Sequence, residues 1–222
     1  MNSFELLSAL KQLGYLKPCE RLWWPNSGSF EVVVAAILTQ QTKWSNVEIS
    51  LLNLKNRSLM NPHALALTDE YEIGVLIEKS GFKTQKASRL KKLAHNIMSE
   101  FGSFESFQQN ADREWLLAQK GIGFESADAI LCYACLKPVM VIDSYTGRLL
   151  SSFGYEFESY DEIQEWFYGG ILSRWENVCG LYNFDIDENT LFARFHGKIV
   201  EFCKENMRGQ KIDISAFADL IQ

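Results

Sequence analysis

Asp143 is the residue around which chemistry can be built. It closes an apolar run, residues 139–142, and stands directly before Ser144-Tyr145 and a helical stretch. A carboxylate at the end of an apolar run and ahead of a helix is a candidate for partly buried chemistry. Upstream lies Lys120-Gly121-Ile122-Gly123. Two glycines around one isoleucine allow a backbone turn that few other residues can take. They also leave N–H groups pointing outward at a helix N-terminus, where phosphate is bound favourably. Beyond the turn, Ala127, Ile130, Leu131 and Ala134 recur at helical spacing and turn one apolar face inward. A plain helical hairpin followed by an N-cap aspartate would account for the same residues.

The order of these features carries more than each alone. Leu116-Leu117-Ala118-Gln119-Lys120-Gly121-Ile122-Gly123, followed by Ala127 and Ile130, resembles the helix-hairpin-helix motif. With the spaced proline and Asp143 after it, the stretch resembles the helix-hairpin-helix-GPD superfamily of DNA base-excision glycosylases, relatives of endonuclease III. The resemblance implies an all-α fold of two helical lobes with a DNA-binding cleft between them. Residues 30–137 would form the central lobe, with the motif at about 112–136, and residues 1–29 with 138–222 the second. The implied partner is double-stranded DNA, engaged by a protein expected to act as a monomer.

The same resemblance assigns roles residue by residue. Lys120, Gly121, Ile122 and Gly123 would pin a phosphate. Gln41, after an apolar helix, would fill the gap left by a flipped nucleotide. Phe82, after Gly81, matches the position of an apolar wedge, although a Phe anchoring a helix end would read the same. Extruding a nucleotide costs a few kcal/mol. Breaking its N-glycosidic bond develops positive charge on the sugar, which the Asp143 carboxylate would stabilise while orienting water. Bifunctional members carry a lysine two residues beyond the second glycine; here Glu125 stands there, so a monofunctional enzyme using water is expected.

Substrate choice falls to the aromatics. Trp23 and Trp24 are adjacent in a loop that begins at Arg21 and is rich in Pro, Asn and Gly, and with Trp44 they flank the helix that would lead to the cleft. Stacking a base on such rings is worth roughly 1–3 kcal/mol, and a cationic alkylated base adds about 0.5–2 kcal/mol. Covering a seam between two halves of the molecule is the other use of Trp23 and Trp24. Together with Glu125, these features resemble the endonuclease III-type 3-methyladenine DNA glycosylases. Lys198 lies at the edge of the stripe made by Leu191, Phe195, Ile199 and Phe202, so it must snorkel, pair with a carboxylate, or line a pocket near Glu125 or Asp143. A mismatch glycosylase acting on adenine or thymine, and a non-enzymatic DNA-binding protein, are the rival readings.

Composition bounds these expectations. The chain has 222 residues, enough for a real core in one large or two small domains. Its net charge of −6 argues mildly against nucleic acid. The charge is uneven, however: Lys83, Lys86, Arg89, Lys91, Lys92 and His95 crowd one stretch, as a local field for phosphates or as a solvated helix face. No apolar run is long enough to span a bilayer, and the start lacks signal-peptide features, so a cytoplasmic protein is expected. Five cysteines are then expected reduced. Cys132 and Cys135 form a Cys-x-x-Cys inside a helical stretch, as buried small hydrophobes or as a zinc or redox pair. Many endonuclease III relatives hold an iron–sulfur cluster on four closely spaced cysteines near the C-terminus. That region here offers Cys179 and Cys203, so no cofactor is expected.

Elements that must position these residues are mostly helices. The apolar period predicts helices over 5–13, from Ser29 as N-cap with Phe30, Val33, Val34, Ile37, Leu38 and Gln41 on one face and an end in Thr39-Gln40-Gln41-Thr42-Lys43-Trp44, and from Pro62 onward. Thr68 is read as the cap of the next helix, with Gly81 at its end. A basic helix then buries Ala87, Leu90, Ala94 and Ile97 and closes at Gly102. Helices over 112–118, 144–153, 161–172 and 190–207 complete the chain, and signs of strands are slight.

Overall fold

The structure is a computed structural model that describes residues 1–16 and 22–220; Arg21 lies outside the described residues. In chain order the helices are α1 (Ser3–Gln12), α2 (Phe30–Leu38), α3 (Trp44–Asn56), α4 (Pro62–Leu67), α5 (Glu70–Leu76), α6 (Lys83–Phe101) and α7 (Phe104–Asn110). They continue as α8 (Arg113–Leu117), α9 (Phe124–Ala129), α10 (Ser144–Ser152), α11 (Tyr160–Leu172), α12 (Trp175–Gly180) and α13 (Glu188–Asn206). Strands β1 (Met207–Arg208) and β2 (Lys211–Ile212) form one antiparallel hairpin that pairs Met207 with Ile212. The fold is all-α. Among the described residues no helix is long and apolar enough to cross a membrane.

The chain divides into two compact units: Pro25–Lys137 is continuous, while Met1–Trp24 joins Pro138–Gln222. In the continuous unit α2 is the central element. Val32 through Leu38 are all buried, so it is enclosed on every side rather than along a stripe. That explains why the β-branched Val32, Val33 and Val34 serve in a helix: burial outweighs their weak propensity. The split unit packs α1, α10, α11 and α13 around Leu6, Leu10, Leu149, Phe167, Phe195 and Phe202.

Helix ends follow local chemistry with two corrections. Asn61 accepts from Ala64 N–H with Pro62 at the first position, and Asp112 accepts from Trp115 N–H. Thr68, however, ends α4, its hydroxyl donating to Ala64 O; Asp69 caps α5 by accepting from Tyr71 N–H. A carboxylate next door is simply the better acceptor. Ser29 does occupy the N-cap of α2, but its hydroxyl donates to Asn26 O and caps nothing.

One element departs from the helical period. After α9 the chain continues as a π turn, Ile130–Ala134, in which Cys135 N–H reaches back to Ile130 O. Gln108 Nε2 donates to Ala134 O and Gly28 O, and Gly28 N–H donates to Tyr133 O, so carbonyls at this irregular end are satisfied.

Candidate active site

Asp143 caps α10. Its Oδ1 accepts from Thr146 N–H at 2.8 Å and from Thr146 Oγ1 at 2.9 Å. Its Oδ2 faces His196 Nε2 on α13 at 3.5 Å, and the carboxylate is 14% exposed. Burial alone would raise its pKa; the hydrogen bond and charge of His196, with the Thr146 donors, outweigh it and hold the carboxyl below its ordinary value. The result is an ionised carboxylate with one oxygen locked and the other turned to an imidazole.

His196 did not stand out in the sequence, although a histidine beside a glycine within a buried helical stretch was the available signal. The Trp23 ring meets it edge-on, centroids 5.3 Å apart at 90°. Gly197 makes this approach possible, since a Cβ there would lie 2.4 Å from Trp23 Cγ. Trp23 itself sits at φ +71, a conformation that costs a bulky residue about 1–3 kcal/mol. Its Nε1–H donates to Glu201 Oε1 at 3.2 Å, and Lys204 Nζ lies 5.6 Å from its ring, contacts that hold it there.

Trp24 is 9% exposed and packs edge-on against Trp23. Lys198 does not snorkel: it is 3% exposed, and its Nζ donates to Tyr15 O at 2.6 Å. A buried ammonium finds a backbone carbonyl because solvent is out of reach.

The other predicted residues belong to the continuous unit. Lys120 and Glu125 are exposed, at the hairpin and in the first turn of α9, and Trp44 is half-buried at the start of α3. Only one hairpin glycine is demanded by the turn. Gly121 has φ +87, and a Cβ there would lie 2.3 Å from Arg89 Nε. Gly123 has ordinary extended backbone and open space around it, so the two-glycine argument holds for Gly121 alone. The buried Ile122 anchors the turn from below.

Gln40 and Gln41 part company. Gln40 Nε2 donates to Gly121 O and Ser126 Oγ, and its Oε1 accepts from Arg89, which binds it into the hairpin. Gln41 is exposed at φ +52. Phe82 is 61% exposed at φ +46, so it is not anchored as a helix-end contact would be. Lys86 is no part of a solvated face: it is 2% exposed. Burial first, then the charge of Arg89, lowers its pKa to about 8. Lys83, by contrast, is exposed and paired with Glu78. Beneath the hairpin, Arg113 on α8 pairs with the fully buried Asp128 on α9, Nε to Oδ1 at 3.0 Å and Nη2 to Oδ2 at 3.1 Å. Cys132 and Cys135 are buried thiols outside any disulfide; burial raises both, Cys135 to about 12, which makes them inert small hydrophobes.

The family model of the HhH-GPD superfamily base excision DNA repair proteins matches residues 34–167. A candidate DNA repair glycosylase of Methanocaldococcus jannaschii is 34% identical over 214 residues, 93% of this chain and 91% of that one. The crystal structure of the H. pylori 3-methyladenine DNA glycosylase MagIII bound to 1,N6-ethenoadenine is similar at a TM-score of 0.90 and 47% identity, over 94% of this chain and 100% of the other. A non-covalent endonuclease III–DNA complex is similar at a TM-score of 0.72 and 16% identity, over 96% and 91%, a likeness of fold alone.

Proposed function

The chain belongs to the HhH-GPD superfamily of base excision DNA repair proteins, and from that premise we propose that it is a monofunctional glycosylase releasing alkylated purines, 3-methyladenine foremost. Its membership makes it a DNA glycosylase; the choice of base and the absence of strand cleavage are our reading. The observation that carries the reading is the ionised Asp143 carboxylate, with His196 between it and the Trp23 ring. Likeness to an enzyme named for 3-methyladenine supports the choice of substrate.

The chemistry follows from charge. As the C1′–N bond of an extruded nucleotide breaks, the bonding pair leaves with the base and positive charge develops on the sugar. Asp143 stabilises that charge and orients the water whose oxygen bonds to C1′, the water proton passing to solvent. A cationic alkylated base leaves as a neutral molecule, so the carboxylate needs no acid partner. Glu125 stands where bifunctional relatives carry their nucleophilic lysine. Lys120, Gly121 and Gly123 would take a phosphate, and Gln41 and Phe82 the space the nucleotide vacates.

The test is direct. Purified protein incubated with methylated duplex DNA should release 3-methyladenine, scored by chromatography, and borohydride should trap no covalent protein–DNA adduct. Release of only mispaired adenine or thymine would replace this reading with the mismatch one, and a trapped adduct would make the enzyme bifunctional.

Trp44 supplies a sharper check on the substrate. If its half-buried ring stacks on the base, Trp44→Ala should slow excision roughly ten- to a hundredfold, the worth of about 1–3 kcal/mol of stacking. Trp44→Phe should retain much of the activity because a π-face remains. Equal melting temperatures with normal excision by the alanine variant would remove Trp44 from the substrate site.

A further inference from the structure

Two exposed residues of the continuous unit, Gln41 and Phe82, share an uncommon feature: neither is glycine, yet both have left-handed backbone, φ +52 and +46. Such conformations persist where surrounding bonds over-determine them. The two turns that carry them are 41 residues apart in sequence, and a single side chain reaches both. Lys86 Nζ donates to Leu38 O at 2.9 Å, Gln40 O at 2.9 Å, Thr42 Oγ1 at 2.8 Å and Ser80 O at 2.8 Å. Two of these acceptors flank Gln41, one on each side. Another lies two residues before Phe82. Thr42 Oγ1 also donates to Ser80 O at 2.7 Å, so the turns touch directly beneath the ammonium.

We propose that Lys86 is a positioning residue whose ammonium locks the Gln41 and Phe82 turns into one platform, so that both side chains enter the DNA together. This rests on the glycosylase reading, which gives Gln41 and Phe82 their place in the duplex. An ammonium has three protons for four oxygens, so one bond is shared, and the oxygens surround it much as they would a bound monovalent cation. The charge is what the arrangement requires. Leu38 O and Gln40 O come from the end of α2, where carbonyls lack helical partners and the helix dipole favours a cation. Shape alone, as in Lys86→Met, would leave those carbonyls buried without a donor. Lys86 also begins the bond pattern of α6, its own N–H donating to Phe82 O at 2.9 Å, so the clamp holds Phe82 from both sides. Through Gln40, whose side chain is bonded to Gly121 O, the platform continues into the hairpin.

Such a platform predicts coupling. In the wild-type background Phe82→Ala and Gln41→Ala should each weaken binding to a duplex carrying a tetrahydrofuran abasic analogue, roughly tenfold for Phe82. In Lys86→Met the same substitutions should cost under about twofold, because the side chains are no longer presented; a tenfold difference corresponds to about 1.4 kcal/mol. Fluorescence of 2-aminopurine beside the lesion should fall in parallel, since less of the stack is opened. A merely structural lysine would lower stability while leaving the Phe82 effect unchanged. Should Lys86→Met fail to fold, Thr42→Val removes one acceptor and the Thr42–Ser80 bond and carries the same comparison. An undiminished cost of Phe82→Ala in the lysine or threonine variant overturns the clamp. Indifference of the wild-type protein to both Phe82→Ala and Gln41→Ala overturns the platform by removing its cargo. Failure to release 3-methyladenine is a separate result, because abasic-duplex binding requires no excision.

Discussion

Asp143→Asn is expected to reduce base excision by roughly 10²–10³-fold while leaving DNA affinity close to that of the wild type. Asparagine caps a helix about as well as aspartate, so Thr146 N–H keeps an acceptor and α10 keeps its start. What the amide lacks is the negative charge that meets the developing oxocarbenium ion. Removing one preorganised electrostatic group of this kind costs about 2.7–4 kcal/mol of barrier. Single-turnover release of 3-methyladenine measures the rate, and binding to an abasic-analogue duplex measures affinity. Because His196 and Thr146 hold the wild-type carboxyl below its ordinary pKa, it stays ionised across the neutral range, so the loss should persist at every pH tested there. Near-normal excision by the variant would take Asp143 out of the mechanism.

The largest effect on stability is expected from Arg113→Met. The variant leaves the Asp128 carboxylate, 0% exposed, without its guanidinium. Breaking a buried pair from one side costs about 3–5 kcal/mol, since the remaining charge stays desolvated. Arg113 is itself 29% exposed, so the reverse variant Asp128→Ala, which leaves a cation within reach of water, should cost less. The sign of the pH dependence separates this cause from lost packing. In Arg113→Met the carboxyl, still buried and no longer facing the guanidinium, favours its neutral form, so the folded state binds a proton more readily than the unfolded one. Stability is then recovered as pH falls from neutrality toward the ordinary carboxylate range. Urea unfolding at pH 7 and pH 5 reads both quantities. A midpoint shift with no pH dependence would assign the loss to the Arg113 contact with the Phe124 ring instead.

Features legible in the sequence were those settled within a few residues. Helix period, the Asp143 cap and the closing glycines Gly81 and Gly102 all follow from bonds and dihedrals that span one turn. Even there the competition between neighbours was hidden: Thr68 and Asp69 both can cap, and only the backbone path selects Asp69. The hairpin and Asp143 were visible as an ordered motif because a tight turn and a helix cap admit few residue types.

Burial and partnership were decided by the tertiary structure. Lys86 has the composition of a solvated helix face, yet it lies among oxygens brought from residues 38, 40, 42 and 80. Lys198 stands at the edge of an apolar stripe, but nothing in its local sequence says that its ammonium ends on Tyr15 O rather than in water. His196 became prominent only when α13 was placed beside both the α10 cap and the Trp23 loop, 53 and 173 positions away in the chain. Hydrophobic period tells which face of a helix turns inward, but not which oxygen or ring will be waiting there. By itself the sequence determined where the turns and caps fall, because their energies are local. The tertiary structure decided which charges lose their water and what replaces it, because desolvation depends on every segment that packs around a group, however distant in the chain.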